Sequence, residues 1–376
     1  MKVKLGEVAE IIMGQSPDSS SYNYEDGLPF FQGNADFGEY YPNVRVLCNK
    51  PKKIANKYDV LISVRAPVGA VNIANDTCAI GRGLAIIRTN ENILNHRYLF
   101  YLLKYHRIYI ENLGAGSTFK AISKPVLNDL NFNIHNIQTQ KEIVAVLDKV
   151  SLLISMRKEQ LEKLDILVKS KFIEMFGDPV LNPKGWEKKK LGEVCSSIVR
   201  GPFGSALKKE YFVPYSKNVY KVYEQKNAIK QNCNIGSYYI SEEKFLTLKR
   251  FECKTGDIIM SCSGTVGKMY TLPEDAHKGI INQALMKMTL NGIVIDKIFK
   301  IYFGLAVESL VLNGSGIKNI SSVSYLKNIE IQVPPLDLQN QFAEFVGQVE
   351  KNKEKIKSSL NQLETLYSAL MQEYFG

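Results

Sequence analysis

The feature that most constrains this 376-residue chain is that it is written twice. "KLGEVAEIIMGQSP" from Lys4 returns as "KLGEVCSSIVRGPFGS" from Lys190, and "DVLISVRAPVGAV" from Asp59 returns as "DIIMSCSGTVGKM" from Asp257. "GAGSTFKAIS" from Gly114 pairs with "GSGIKNIS" from Gly314, and "LNFNIHNIQTQKEI" from Leu130 with "IEIQVPPLDLQNQF" from Ile329. Finally "QLEKLDILVKSKFIEMFG", ending at Gly177, answers "QLETLYSALMQEYFG", ending at Gly376. Five blocks in one order exclude chance, so the fold must be built from two copies of one unit.

Each copy has two parts. The first mixes short β-branched runs such as "YDVLISV" with Gly, Asn and Ser breakers, the pattern of a mixed α/β domain. The second holds a 4,3,4,3 spacing. In the first copy it runs through Ile143, Leu147, Val150, Ile154, Arg157, Leu161, Leu164, Val168, Lys171 and Met175. In the second it runs through Phe342, Val346, Val349, Lys353, Ile356, Leu360, Leu363, Tyr367, Leu370 and Tyr374. Sustained 3.5-residue periodicity predicts long helices with a coiled-coil seam. At 1.5 Å per residue each rod is roughly 50 to 60 Å long. Two rods of equal length are natural partners for each other in antiparallel pairing, and pairing with a second molecule is the competing arrangement.

The expected fold is therefore α+β: two globular mixed α/β domains separated by two long helices that pair as an antiparallel coiled coil, with an internal pseudo-twofold repeat. Domain limits fall at 1–135, 136–178 (helical), 179–335 and 336–376 (helical). The interface is expected at Leu147, Ile154, Leu161, Leu164, Val168, Val349, Ile356, Leu360, Leu363 and Leu370.

Composition enters with the partner. Lys and Arg outnumber Asp and Glu by 48 to 38, giving +10, which suits a polyanion such as nucleic acid. Six cysteines without a CxxC pair read as reduced, buried thiols. The start shows no secretory signal, and there is no 18-residue apolar run for a membrane span, so a cytoplasmic location without membrane contact is expected.

Catalytic motifs do not assemble. "SGTVGKM" from Ser263 lacks the first glycine and the hydroxyl of a nucleotide-binding P-loop. Asp178, Glu187 and Lys189 have the D…E-x-K layout of metal-dependent nucleases but lie in a polar linker. His96, His106, His135 and His277 show no ligand spacing. Neither a metal site nor a cofactor bound by this chain is expected. The duplicated glycine-serine loops can instead bring bare backbone N–H groups to a phosphate, or serve as tight structural turns, with Ser123 and Ser321 capping the turns that follow. Candidate DNA contacts are Arg65, Arg82, Ser117, Lys120, Lys124, Arg200, Lys208, Lys209, Lys268, Ser315 and Lys318.

The ordered set "KLGEV", "GDIIMS…GTVGK", "GSGIKNIS", I-x-V-P-P-L-x-x-Q and a terminal "QLETL" coiled coil, halved and repeated, resembles the specificity subunit of type I restriction–modification systems. The first copy departs from the pattern at "NIHNIQTQ" and at Ala66-Pro67. The resemblance implies a non-catalytic DNA-reading subunit of an adenine-N6 methyltransferase and ATP-dependent endonuclease complex, with two target-recognition domains each reading half of an asymmetric bipartite sequence in double-stranded DNA. It implies two methyltransferase (modification) subunits on the helices and restriction/translocase subunits beyond them. S-adenosylmethionine, ATP and Mg²⁺ would be used by those partners. Two other classes stay open: a self-contained DNA-binding or nuclease protein using Asp178, Glu187 and Lys189, and a coiled-coil scaffold that does not bind DNA. A methyltransferase-only complex is a variant of the first reading.

Overall fold

The repeated K-L-G-E-V shows how one short motif starts each copy. In the computed structural model, which describes residues 1–115, 120–312 and 323–376, Lys2–Lys4 and Glu187–Lys190 are strands that each lead into one helical turn, Leu5–Val8 and Leu191–Val194. The motif's Glu reaches back to cap that turn: Lys4 N–H donates to Glu7 Oε2 at 3.1 Å and Lys190 N–H to Glu193 Oε2 at 2.7 Å. The Leu and Val are buried. The glycine lets a later helical turn pack close, since a Cβ on Gly6 would lie 2.9 Å from Asn128 Oδ1.

The β-branched runs form matching sheets. Val60–Ser63 is buried throughout and sits inside a four-stranded sheet ordered Ala9–Met13, Leu84–Thr89, Val60–Ser63, Val71–Ile73. The second copy repeats the order with Cys195–Arg200, Leu285–Leu290, Ile258–Ser261 and Met269–Thr271. A second sheet accompanies each, five-stranded in unit 1 and four-stranded in unit 2, with one parallel pairing, Leu28–Phe31 on Cys78–Ile80 and Val219–Tyr223 on Gly279–Ile281. The segment after Asn95 forms two helices, His96–Tyr105 and Arg107–Asn112, broken at His106. All six cysteines are buried and free.

Two 40-residue helices follow the sheets, Ile137–Phe176 and Leu336–Phe375. Asn136 caps the first, accepting from Thr139 N–H at 2.9 Å. A buried glutamine just inside each helix ties it to its own domain. Gln140 donates to the Ile93 and His135 carbonyls and accepts from Asn95 N–H, while Gln339 does the same with Ile293, Pro334 and Ile295. The first helix stops at Gly177, whose φ of +80° side chains rarely adopt. Beyond it Trp186 Nε1 donates to the Phe176 carbonyl at 2.8 Å, and Lys184 Nζ to those of Glu174 and Met175, satisfying carbonyls the helix end leaves open. No helix among the described residues is long and apolar enough to cross a membrane.

The chain divides into two compact units, Met1–Gln160 with Ile356–Gly376, and Leu161–Lys355, so each long helix contributes to both. In unit 1, Ile143 and Leu147 share a core with Leu370, Met371 and Phe375, and Lys158 pairs with Glu364 at 3.3 Å. In unit 2, Val168, Phe172 and Phe176 share a core with Phe342 and Val346, and Lys353 pairs with Asp165. Ile154 and Val349 are buried, whereas Leu161, Leu164, Ile356, Leu360 and Leu363 are half-buried.

Candidate nucleic-acid interface

At one end of the unit 1 sheet three chain reversals lie side by side. The first, Ser63 to Gly69, is folded by Ser63 Oγ, which donates to the Arg65 and Pro67 carbonyls at 2.8 Å each. It closes through Gly69 N–H on the Ser63 carbonyl at 2.9 Å. The second is the turn Gly81-Arg82-Gly83, closed by Leu84 N–H on Gly81 O at 3.1 Å. The third is the base of the glycine-serine loop, where Ala115 and Ala121 exchange backbone hydrogen bonds at 3.0 and 2.9 Å. Val64 N–H donates to Gly83 O at 2.9 Å and Ile122 N–H to Val64 O at 3.0 Å, which ties the three together.

That juxtaposition gathers Arg65, Arg82 and Lys120, each exposed, although they are far apart in sequence. Bare glycine backbone makes it possible: a Cβ on Gly83 would lie 2.3 Å from Gln32 O, and one on Gly14 2.2 Å from Gly81 O. Ser16 Oγ accepts Arg82 N–H at 3.2 Å and steadies the turn tip. Gln32 is exposed beside it, with its backbone held by Asp36 Oδ2 at 2.8 Å. Among the described residues, no ion pair engages Arg65, Arg82 or Lys120. Ser117 lies outside the described residues.

Unit 2 repeats the frame with other side chains. Gly267 N–H closes on Ser261 O at 2.9 Å, Cys262 N–H donates to Ala284 O at 2.9 Å, and Leu285 N–H closes the turn on Asn282 O at 3.1 Å. A Cβ on Gly201 would lie 1.9 Å from Asn282 O, the same crossing as Gly14 over Gly81. Exposed Gln283 now occupies the turn tip and Ser263 the place of Arg65. Gln225 Nε2 donates to the Ser263 carbonyl and braces that turn. Phe203 is 61% exposed nearby, a large apolar ring offered to solvent. Ser315 and Lys318 lie outside the described residues, as does Ser321.

The remaining candidates separate. Lys268 is exposed at the end of the Ser261–Gly267 reversal. Lys208 and Lys209 are exposed on the loop after Gly204, Lys208 pairing with Glu210 at 3.6 Å. Lys124 is exposed at the start of the short helix Lys124–Asn128, and Ser123 before it makes no side-chain capping bond. Arg200 is buried, its guanidinium 5.7 Å from the Phe203 ring centroid, and burial pulls it below its ordinary value. It ends a strand at an inward position, so the strand's two-residue alternation turns it from solvent. Sequence reading passed over Ser16, Gln32, Gln225 and Gln283. For Ser16 and Gln32 the signal was their placement beside the glycines of "MGQSP" and "FQGN"; Gln225 and Gln283 have no glycine beside them.

The nuclease-like trio does not form a site. Asp178 Oδ1 accepts from the N–H groups of Val180 and Leu181, and Glu187 pairs with Lys189 at 2.9 Å. Among the described residues, no group of three or more His, Cys, Asp or Glu is placed to hold a metal ion. A separate cavity of about 630 Å³ in unit 1 is lined by Tyr105, His106, Phe132, His135 and residues 372–376. Burial lowers the His106 pKa there, and Tyr98 hydroxyl and His135 Nδ1 lie 2.9 Å apart.

Comparison with known proteins converges on one family. Residues 1–165 and 183–365 match the type I restriction modification DNA specificity domain. A putative type I restriction enzyme MjaX specificity subunit of Methanocaldococcus jannaschii is 48% identical over 158 residues, 41% of this chain and 37% of that protein. The MjaIX specificity subunit of the same organism is 25% identical across 67% of this chain and 62% of its own length. The MjaVIII subunit is 20% identical across 98% and 90%. The chain thus spans under two thirds of the length of the first two of these relatives. In fold, the type I restriction–modification S subunit from M. genitalium superposes with a TM-score of 0.62 at 16% identity, covering 100% of this chain and 96% of that one. A chain from a structure of type I restriction–modification complex assembly and conformational transition gives 0.61 at 16% identity, covering 100% and 97%. With the specificity domain matched in both halves of a duplicated fold, the chain belongs to the family of type I restriction–modification specificity subunits.

Proposed function

We propose that the chain reads a bipartite, asymmetric sequence in double-stranded DNA, unit 1 contacting one half and unit 2 the other through the loop faces described above. The observation that carries this reading is that one backbone frame is kept in both units while the exposed side chains on it differ. Exposed Arg65 and Arg82 in unit 1 answer to half-buried Ser263 and exposed Gln283 in unit 2. A conserved frame with changed contacts is what two different half-sites require.

In this reading the two long helices form one antiparallel coiled coil with pseudo-twofold symmetry, which sets the spacing between half-sites and docks two methyltransferase subunits. Apolar residues left exposed on the first helix, Leu152, Met156 and Ile166, support such docking. Methylation with S-adenosylmethionine and ATP-dependent, Mg²⁺-requiring cleavage belong to partner subunits, and this chain contributes recognition only.

The test is an exchange of residues 1–135 for those of a relative, followed by mapping of methylated adenines. One half of the recognised sequence should change and the other should stay. A change in both halves would overturn the reading. A helix-compatible insertion of one turn in both rods should alter the spacer, and an unchanged spacer would remove the ruler role. DNA affinity should fall steeply with salt, as several phosphate contacts demand.

A further inference from the structure

We propose that the matched turn tips select different bases, Arg82 reading guanine in the half-site of unit 1 and Gln283 reading adenine in that of unit 2. This rests on the loop faces meeting DNA, and it assigns one side chain in each to a base edge.

The two tips are the same piece of backbone. Gly81-Arg82-Gly83-Leu84 and Asn282-Gln283-Ala284-Leu285 close through the same Leu N–H to carbonyl bond at 3.1 Å in both. Both are also pinned from the neighbouring reversal, by Val64 N–H on Gly83 O and by Cys262 N–H on Ala284 O, at 2.9 Å each. The backbone of each tip is held by a side-chain oxygen as well, Ser16 Oγ for Arg82 N–H and Asn282 Oδ1 for Ala284 N–H. Each tip is therefore a rigid post. Its flanking residues are glycines in unit 1 and a small alanine on one side in unit 2, so the central side chain is the group that projects.

Both central side chains are exposed. Among the described residues the Arg82 guanidinium has no carboxylate partner that would hold it away from a base. A guanidinium presents two parallel N–H donors that fit O6 and N7 of guanine, whereas a carboxamide presents one donor and one acceptor that fit N7 and N6 of adenine. Because the posts match, the exchange of fork for amide changes which base edge is satisfied from the same backbone position.

The experiment uses Arg82→Gln, Gln283→Arg and Arg82→Lys, each assembled with its methyltransferase. It reads both the methylated motif across a genome and the salt dependence of binding to duplexes varied at single positions. In Arg82→Gln, discrimination for guanine should drop about ten- to a hundredfold at one base pair of one half, with the other half unchanged. Gln283→Arg should shift one position of the opposite half from adenine towards guanine. Arg82→Lys should lose the guanine preference while keeping the salt slope, because charge remains and the fork is gone. An unchanged motif with uniformly weaker binding and a salt slope reduced by about one would make Arg82 a phosphate contact and overturn the proposal, leaving the half-site reading intact. A motif altered in both halves by one substitution would bring down the half-site reading itself.

Discussion

Arg97 in unit 1 and Lys297 in unit 2 stand at matching places near the start of corresponding helices, and they secure the long helix differently. Arg97 forks onto Asp148, with Nε at 3.2 Å and Nη2 at 2.7 Å from one carboxylate oxygen, and the Tyr101 hydroxyl donates to the same oxygen at 2.6 Å. In unit 2 the residue matching Asp148 is Gly347, and Lys297 instead reaches Glu350 at 2.9 Å. Unit 2 compensates with aromatic packing. Phe172 lies edge-on to Tyr302 at 4.9 Å and to Phe342 at 5.7 Å, and Phe176 lies 5.5 Å from Phe342. Duplicated units thus keep the junction between domain and helix while changing what holds it: unit 1 adds a charged fork to the Tyr98–Phe375 ring contact, and unit 2 sets a larger cluster of rings beside the Lys297–Glu350 pair.

The strongest way to break this contrast is Phe342→Ala. It empties a fully buried ring site in unit 2 and should cost about 3–5 kcal/mol. Trp186, the one tryptophan, donates to the Phe176 carbonyl and reports on this unit. Its fluorescence transition in urea should move to lower denaturant, and an unmoved midpoint would show that the rings do not hold unit 2 together. Asp148→Ala should follow with about 2 kcal/mol lost, since a half-buried guanidinium and the Tyr101 hydroxyl lose their shared acceptor. Hydrogen exchange along His96–Tyr105 would speed up while the Trp186 signal stays. Glu350→Ala, which breaks a more exposed pair, should cost under about 1 kcal/mol. A larger loss would erase the distinction drawn between the two junctions.

Acid should separate the units as well, with the smallest effect. Burial against Phe132 and Tyr105 lowers the His106 pKa below its ordinary 6.5. The unfolded chain then takes up the proton before the folded one, so the stabilisation present above pH 6.5 is lost as pH falls through the window between the unfolded and folded values. His106→Gln should flatten that dependence in the exchange rates of unit 1. An equal slope with and without the histidine would assign the effect elsewhere.

Much of the frame was legible along the chain because it follows from local rules. The continuous apolar run in "YDVLISV" yields the buried strand Val60–Ser63, and the heptad stripe from Ile143 lies on the buried or half-buried side of its helix. The glutamate of K-L-G-E-V caps its own helical turn three residues back. Arg65 and Arg82 could be named from residue type, but nothing local tells that Val64 and Gly83 are hydrogen-bonded neighbours. Arg200 looked equally available until the end of its strand turned it inward. Gln283 resembled any loop amide until its turn was laid beside that of Arg82.

What the sequence determined by itself was the twofold plan, the helical rods and the basic balance, since repeats, periodicity and charge are properties of the chain read in order. The tertiary structure decided which side chains share a face. That depends on hydrogen bonds such as Val64 to Gly83 and Ile122 to Val64, and on close backbone crossings only glycine permits, between segments whose separation in sequence carries no record of their contact.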